Sequence, residues 1–225
     1  MRALPGALVW DLDGTLIDSA PDIAAALNQL LHEHGRPPHS VARVKCLVGQ
    51  GVARLIEQGF AAAGAPIGPE TAAALAPRFL EIYGPQATRR TRLNAGAAKI
   101  LAGLAAAGVR HAICTNKPGA VSTRILAAFD ILPFFGAVIG GDSTLGKKPD
   151  PRPVAAALEA LGARPAEAVM IGDSAVDLAA ARAAGMRIVL VRSGYGGDDV
   201  DTLDADALID QLDELPEVLR RLPSA

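Results

Sequence analysis

Aromatic residues are scarce in this 225-residue chain, at 4%, with one Trp, two Tyr and five Phe. Packing is left to smaller side chains: half of the residues are hydrophobic, and Ala supplies much of that half, which suits helices set closely on a sheet. Cysteine is rarer still. Cys46 and Cys114 do not make a disulfide framework, so the expected setting is reducing and cytoplasmic, with Cys114 a small buried core residue. No apolar run approaches the ~20 residues that cross a membrane, and no positively charged start followed by an apolar stretch marks export. A membrane partner is therefore not expected. The net charge is only -2 and no long block of either sign occurs, which argues against nucleic acid as a partner. The length allows a sizeable core and one or two domains.

The most informative stretch is Leu8 to Ser19. Ala7 to Trp10 reads as a short buried strand. It runs into Asp11, and Asp13 follows two positions on, so both carboxylates face one side of an extended chain. Gly14 then permits a sharp turn. Two acids at the end of a buried strand are costly unless something neutralises them, and a divalent cation is the simplest candidate.

Helical spacing follows. A capping residue before Pro21 opens a helix carrying Ile23, Leu27, Leu30 and Leu31. Further helices are predicted around 40–47, 51–63 and 69–83, with no convincing strand between 19 and 86. From residue 95 the pattern alternates: helix 97–107, strand 109–114, helix 121–129, strand 137–139, helix 153–161, strand 168–171, helix 176–184, strand 187–191, a short strand at 207–209 and a tail helix over 210–220. Alternation implies parallel crossovers and a three-layer α/β domain. The expected division is an α/β core of residues 1–18 and 87–225 and an inserted helical unit of 19–86.

Ligands of open α/β sheets bind beyond the carboxyl ends of the strands. Chemistry-bearing residues fall there in each case: Asp11-Leu-Asp13-Gly14-Thr15, Thr115-Asn116-Lys117, Lys147-Lys148-Pro-Asp-Pro, and Gly172-Asp173-Ser174-Ala-Val-Asp177. Each has a plain alternative. Asp11-Leu-Asp13-Gly14-Thr15 could be a calcium-like turn or a surface loop, Thr115-Asn116 could cap the next helix, Lys148 could be a solvated lysine, and Ser174-x-x-Asp177 is also a capping box. Two other patterns carry less. Gly141 to Lys148 nearly spells a phosphate-binding loop but lacks its Ser or Thr, with Pro149 and Pro151 opposing a helix. Gly49-Gln-Gly51 lacks the third glycine of a dinucleotide loop; it and Arg54 are possible contacts to the site or an ordinary helix connection.

Taken together and in order, the four motifs resemble the haloacid-dehalogenase superfamily of phosphohydrolases over nearly the whole chain. The helical insert resembles that superfamily's α-helical cap. The resemblance implies a Rossmann-like three-layer core and a magnesium ion held by Asp11, Asp173 and the backbone carbonyl of Asp13, with Asp177 behind them. It also implies an aspartyl-phosphate formed on Asp11, with Asp13 as general acid and base. An ionised carboxylate needs no base to attack phosphorus. By the same resemblance Thr115 hydrogen-bonds a phosphoryl oxygen, Lys148 offsets charge on both the phosphate and Asp11, Asn116 orients substrate or a loop, and amides around Leu12 to Thr15, Gly14 included, complete the cradle. The expected partner is a small phosphorylated metabolite, and the expected state a monomer or homodimer. Asp-Ser-x-Pro-Asp-Ile, Val48-Gly-Gln-Gly51, Thr115-Asn-Lys-Pro118, Lys148-Pro-Asp-Pro and Gly194-Tyr-Gly196 are similar to the phosphoglycolate phosphatase branch, whereas Asn94 departs from it. Other small esters or pyrophosphate, a phosphosugar mutase, and a non-catalytic binding module on the same fold are the alternatives.

Overall fold

The computed structural model describes residues 3–222; residues 1–2 and 223–225, at the outer ends of the expected core segments, lie outside the described residues. The first strand, β1 (Ala7–Trp10), is buried along its whole length, as its unbroken apolar run requires. A two-residue strand, β2 (Ile17–Asp18), follows. Four helices come next: α1 (Ala20–Glu33), α2 (Val41–Lys45), α3 (Val52–Ala62) and α4 (Pro69–Tyr83). The chain then returns as β3 (Arg92–Leu93), paired antiparallel with β2. From there helix and strand alternate as α5 (Ala97–Ala106), β4 (Arg110–Cys114), α6 (Gly119–Ala128), β5 (Phe135–Ile139), α7 (Arg152–Ala160), β6 (Ala168–Gly172), α8 (Ala175–Ala183), β7 (Arg187–Val191), β8 (Ala207–Ile209) and α9 (Leu215–Arg221).

The six-stranded sheet has the order β5-β4-β1-β6-β7-β8, and every neighbouring pair is parallel. Side chains of β1 alternate between its faces. Leu8 and Trp10 join an apolar cluster with Leu101 of α5, Ile125 of α6 and Leu219 of α9. Ala7 and Val9 join a second one with Val154 and Leu158 of α7 and Ala180 and Ala181 of α8. Helices thus cover both faces, the α/β architecture expected from the alternating pattern. The strand order reverses at β1, which opens a crevice at its carboxyl end. The first cluster also runs on through Leu12, Leu16 and Ile17 to Leu27, Leu30, Ile56 and Phe79 of the helical segment, so sheet and helices share one continuous apolar core.

Three local features differ from the reading of the sequence. The β2–β3 ribbon was not expected, because two residues carry no periodicity. Ser19 sits at the cap position of α1 but makes no capping bond; the phenol oxygen of Tyr195 accepts from the amides of Ser19 and Ala20 instead, at 2.8 and 3.0 Å. The tail helix starts late, after a 3-10 turn over Leu212–Glu214, because the Glu214 carboxylate takes the amides of Asp210 and Gln211 and Gln211 stays extended. Among the described residues no helix is long and apolar enough to cross a membrane.

Candidate active site

Asp11 continues β1 for one more residue, its amide bonded to Ile171 of β6 at 2.8 Å. Gly14 then turns the chain with φ +87°, and a Cβ there would lie 2.3 Å from Asp173 Oδ2. Glycine is thus required both by the left-handed backbone and by the close approach of the carboxylate. Thr15 Oγ1 donates to Asp173 Oδ1 at 3.1 Å, and the amide of Tyr195 donates to Asp173 Oδ2 at 2.5 Å. Asn94, on the returning chain, donates to the carbonyls of Gly14 and Thr15 at 3.1 and 2.9 Å. The departure at position 94 therefore fastens the turn that follows Asp11.

Lys148 lies on the long connection after β5. Its ammonium donates to Asp11 Oδ1 at 2.7 Å and Asp177 Oδ1 at 2.6 Å, and all three residues are buried. Asp177 serves the helix as well: its other oxygen accepts from the hydroxyl of Ser174 at 2.6 Å and the amide of Ser174 at 3.2 Å. Asn116 clamps the Lys148 backbone, accepting from its amide and donating to its carbonyl, both at 2.9 Å. It also donates to the carbonyl of Gly49 at 2.8 Å, so Asn116 fastens a loop and reaches the helical segment. Gly49 and Gly51 line the cleft above the acids, whereas Arg54 turns to Glu57 on its own helix.

Asp11, Asp173 and Asp177 each present an oxygen within 4.8 Å of the others, all buried. Three carboxylates face the one Lys148 ammonium, a surplus of negative charge. Burial pushes Asp11 up to about 6, with Lys148 pulling it back. Burial, then Asp177 and Asp11, push Asp173 well above the ordinary carboxylate range. Burial alone would lower Lys148, but Asp11 and Asp177 more than offset that and keep it protonated. The strain on the acids is one that a cation relieves, and an all-oxygen donor set suits a hard divalent ion. The residues fit a divalent metal.

The carboxylate of Asp13 stands apart from that group. It receives the Lys117 ammonium at 2.9 and 3.0 Å and the hydroxyl of Ser19. Thr115 Oγ1 accepts from the amide of Lys117 at 3.2 Å. Lys117, Tyr195, Ser19 and Asn94 were given no site role by the sequence. Lys117 stood inside a quoted motif, but nothing in the chain places it against a residue 104 positions earlier.

Fold and site define an α/β enzyme whose buried acids meet at the carboxyl end of a central parallel strand. The model of the haloacid dehalogenase-like hydrolase family matches residues 8–191, and the chain belongs to that family. Within it, the chain is 44% identical over 218 residues to a phosphoglycolate phosphatase of Caulobacter vibrioides, covering 96% of this chain and 92% of the relative. A crystal structure from Haemophilus somnus, described as a predicted phosphoglycolate phosphatase, superposes with a TM-score of 0.86 at 28% identity, over 95% of this chain and 97% of that one. CbbY from Rhodobacter sphaeroides, crystallised in complex with phosphate, gives a TM-score of 0.80 at 25% identity over 94% and 96%. The protein is a phosphatase of the phosphoric monoester hydrolase class.

Proposed function

We propose that the protein is a magnesium-dependent phosphatase that hydrolyses 2-phosphoglycolate to glycolate and phosphate through an aspartyl-phosphate on Asp11. The observation that carries the reading is the buried cluster of Asp11, Asp173 and Asp177 around Lys148, in a chain 44% identical to a named phosphoglycolate phosphatase. Bound magnesium would neutralise charge between a carboxylate and a dianionic ester. Asp11, Asp173 and the carbonyl of Asp13 would hold it, with Asp177 behind them.

Asp11 supplies the nucleophilic oxygen. It bonds to phosphorus as the ester P–O bond breaks, and Asp13 gives its proton to the departing alkoxide. Asp13 then takes a proton from the water that hydrolyses the acyl phosphate, which returns Asp11 and releases phosphate. Lys148 stays protonated and offsets charge on Asp11 and on the phosphoryl oxygens. Thr115 and the amides of the turn from Leu12 to Thr15 cradle those oxygens, apart from the Gly14 amide, which donates to Ile17; Asn116 holds the Lys148 loop beside them. Residues 19–86 act as a cap on a core of 1–18 and 87–225; closure excludes bulk water and encloses the leaving group. A free exposed Cys46 and a free buried Cys114, whose thiol burial pushes up to about 12, support a reducing, cytoplasmic setting.

The test is phosphate release from a panel of 2-phosphoglycolate, sugar phosphates, pyrophosphate and an aryl phosphate, with and without EDTA. Turnover of 2-phosphoglycolate that EDTA abolishes and that Asp11→Asn lacks is expected. Activity indifferent to EDTA, or kept by Asp11→Asn, rejects the reading.

A further inference from the structure

The Asp13–Lys117 pair opens into a cleft between the strand ends and the helical segment. Its far wall is apolar: Ile23, Val48, Val52, Leu55 and Phe79. Two polar groups on its lining have no part in the reaction as derived above. One is the buried ammonium of Lys117, which touches both oxygens of Asp13 and lies 4.8 Å from the ring centroid of Tyr83. The other is the hydroxyl of Tyr83, at the end of α4, which is buried beside the Lys117 ammonium and has no acceptor for its own O–H. A buried hydroxyl without an acceptor is unfavourable, and such groups in native proteins call for an explanation.

We propose that Lys117 and Tyr83 form the subsite for the leaving group and that they recognise a carboxylate one carbon removed from the ester oxygen. The inference rests on the phosphatase reading and deepens it. Asp13 is the group that meets the departing oxygen, and Lys117 is already in contact with Asp13. A carboxylate one carbon beyond that oxygen therefore falls beside the ammonium. An ammonium has three donors and can serve two carboxylates at once. The Tyr83 O–H supplies a further hydrogen bond and gains the acceptor it lacks. Burial pushes the Tyr83 hydroxyl above its ordinary pKa, so it is a donor. The apolar wall accepts a methylene but offers nothing to the hydroxyls of a sugar, whose burial there would leave them unpaired. Because Lys117 follows β4 and Tyr83 ends α4, the subsite is complete only where sheet and helical segment meet.

The test uses the full chain in excess magnesium with two substrates of similar size, 2-phosphoglycolate and ethyl phosphate, and reads the ratio of their kcat/KM values. The wild type is expected to favour the acid by about 100-fold, and Lys117→Met to remove most of that preference. Tyr83→Phe is expected to reduce it by about tenfold, through KM. Lys117→Arg should restore part of it. Lys117 also holds Asp13, so any loss common to both substrates is read separately. An equal loss on both substrates, with the ratio unchanged, means that Lys117 serves Asp13 alone and overturns the proposal. So does a wild type that hydrolyses both esters alike, which leaves the phosphatase reading standing. Should Lys117→Met fail to fold, Tyr83→Phe decides. Should the wild type turn over neither ester, the 2-phosphoglycolate reading fails by itself. Calorimetric titration with the two esters then decides the subsite, equal affinities overturning it.

Discussion

Asp11 and Asp13 are two positions apart yet meet different cations, Lys148 at 2.7 Å and Lys117 at 2.9 Å. In the proposed mechanism this separation divides labour between Asp11 at the metal cluster and Asp13 at the leaving group. Asp13→Asn is therefore expected to cut turnover by about 10²–10⁴-fold while leaving magnesium affinity, read by calorimetry, unchanged. Asp173→Asn is expected to lose roughly 10–100-fold in that affinity. An equal loss of affinity in both variants contradicts the acid–base role of Asp13. A second residue-scale expectation concerns stability. His111 Nδ1 accepts from the Trp10 indole at 3.0 Å, and its other ring nitrogen is buried without a partner. Burial lowers its pKa from 6.5 to about 4. The folded state therefore binds this proton less tightly than the unfolded chain. Its contribution is complete above pH 6.5 and is lost as the pH falls toward 4. At pH 4 the loss comes to about 3 kcal/mol, taking 1.36 kcal/mol per unit. Urea titrations at pH 7 and pH 4 should show a smaller acid loss for His111→Gln, which keeps an acceptor for Trp10, than for the wild type. An equal loss in both would assign it to other groups.

Among the elements, α1 connects the helical segment to the sheet at both chain crossings. Tyr195 takes up its first amides and donates to Asp18 at 2.7 Å, and Lys45 of α2 pairs with the same Asp18 at 2.9 Å. Asp22, buried in the first turn of α1, accepts from the amides of Arg90 and Thr91 and from the Thr91 hydroxyl. Asp22→Ala would leave those donors unmet. A loss of about 3 kcal/mol is expected, a fall in Tm of roughly 6–12 °C for a chain of this size. Calorimetric melting checks it, and an unchanged Tm would show that the return crossing is held by other contacts. The longer elements were legible because period and punctuation agree: Ile23, Leu27, Leu30 and Leu31 mark one face of α1, and a glycine follows α5 and α7 within two residues of each end. β2 and β3 were not, since their pairing joins residues 17–18 to 92–93 with no pattern in either. Nor was the cap on α1, where a phenol 176 positions away displaces a local serine.

At the scale of the whole molecule, four motifs spread from residue 11 to residue 177 converge because β1 lies between β4 and β6. The acids were readable as strand-end residues, and the rule that ligands lie beyond strand ends brought them together. Lys148 was expected to offset charge on Asp11, and it does; the rest of the pairing could not be read. Lys148 bridges Asp11 and Asp177, while Asp13 turns to Lys117, and such choices depend on side-chain direction across a three-dimensional crevice. The central claim is that this convergence makes Asp11 a phosphoryl acceptor beside a divalent ion. A crystal structure with magnesium and beryllium fluoride, a phosphoryl mimic that bonds to carboxylate oxygen, tests it most directly. Beryllium is expected on a carboxylate oxygen of Asp11, and magnesium in contact with both Asp11 and Asp173. Beryllium on another residue, or magnesium away from Asp173, would contradict it.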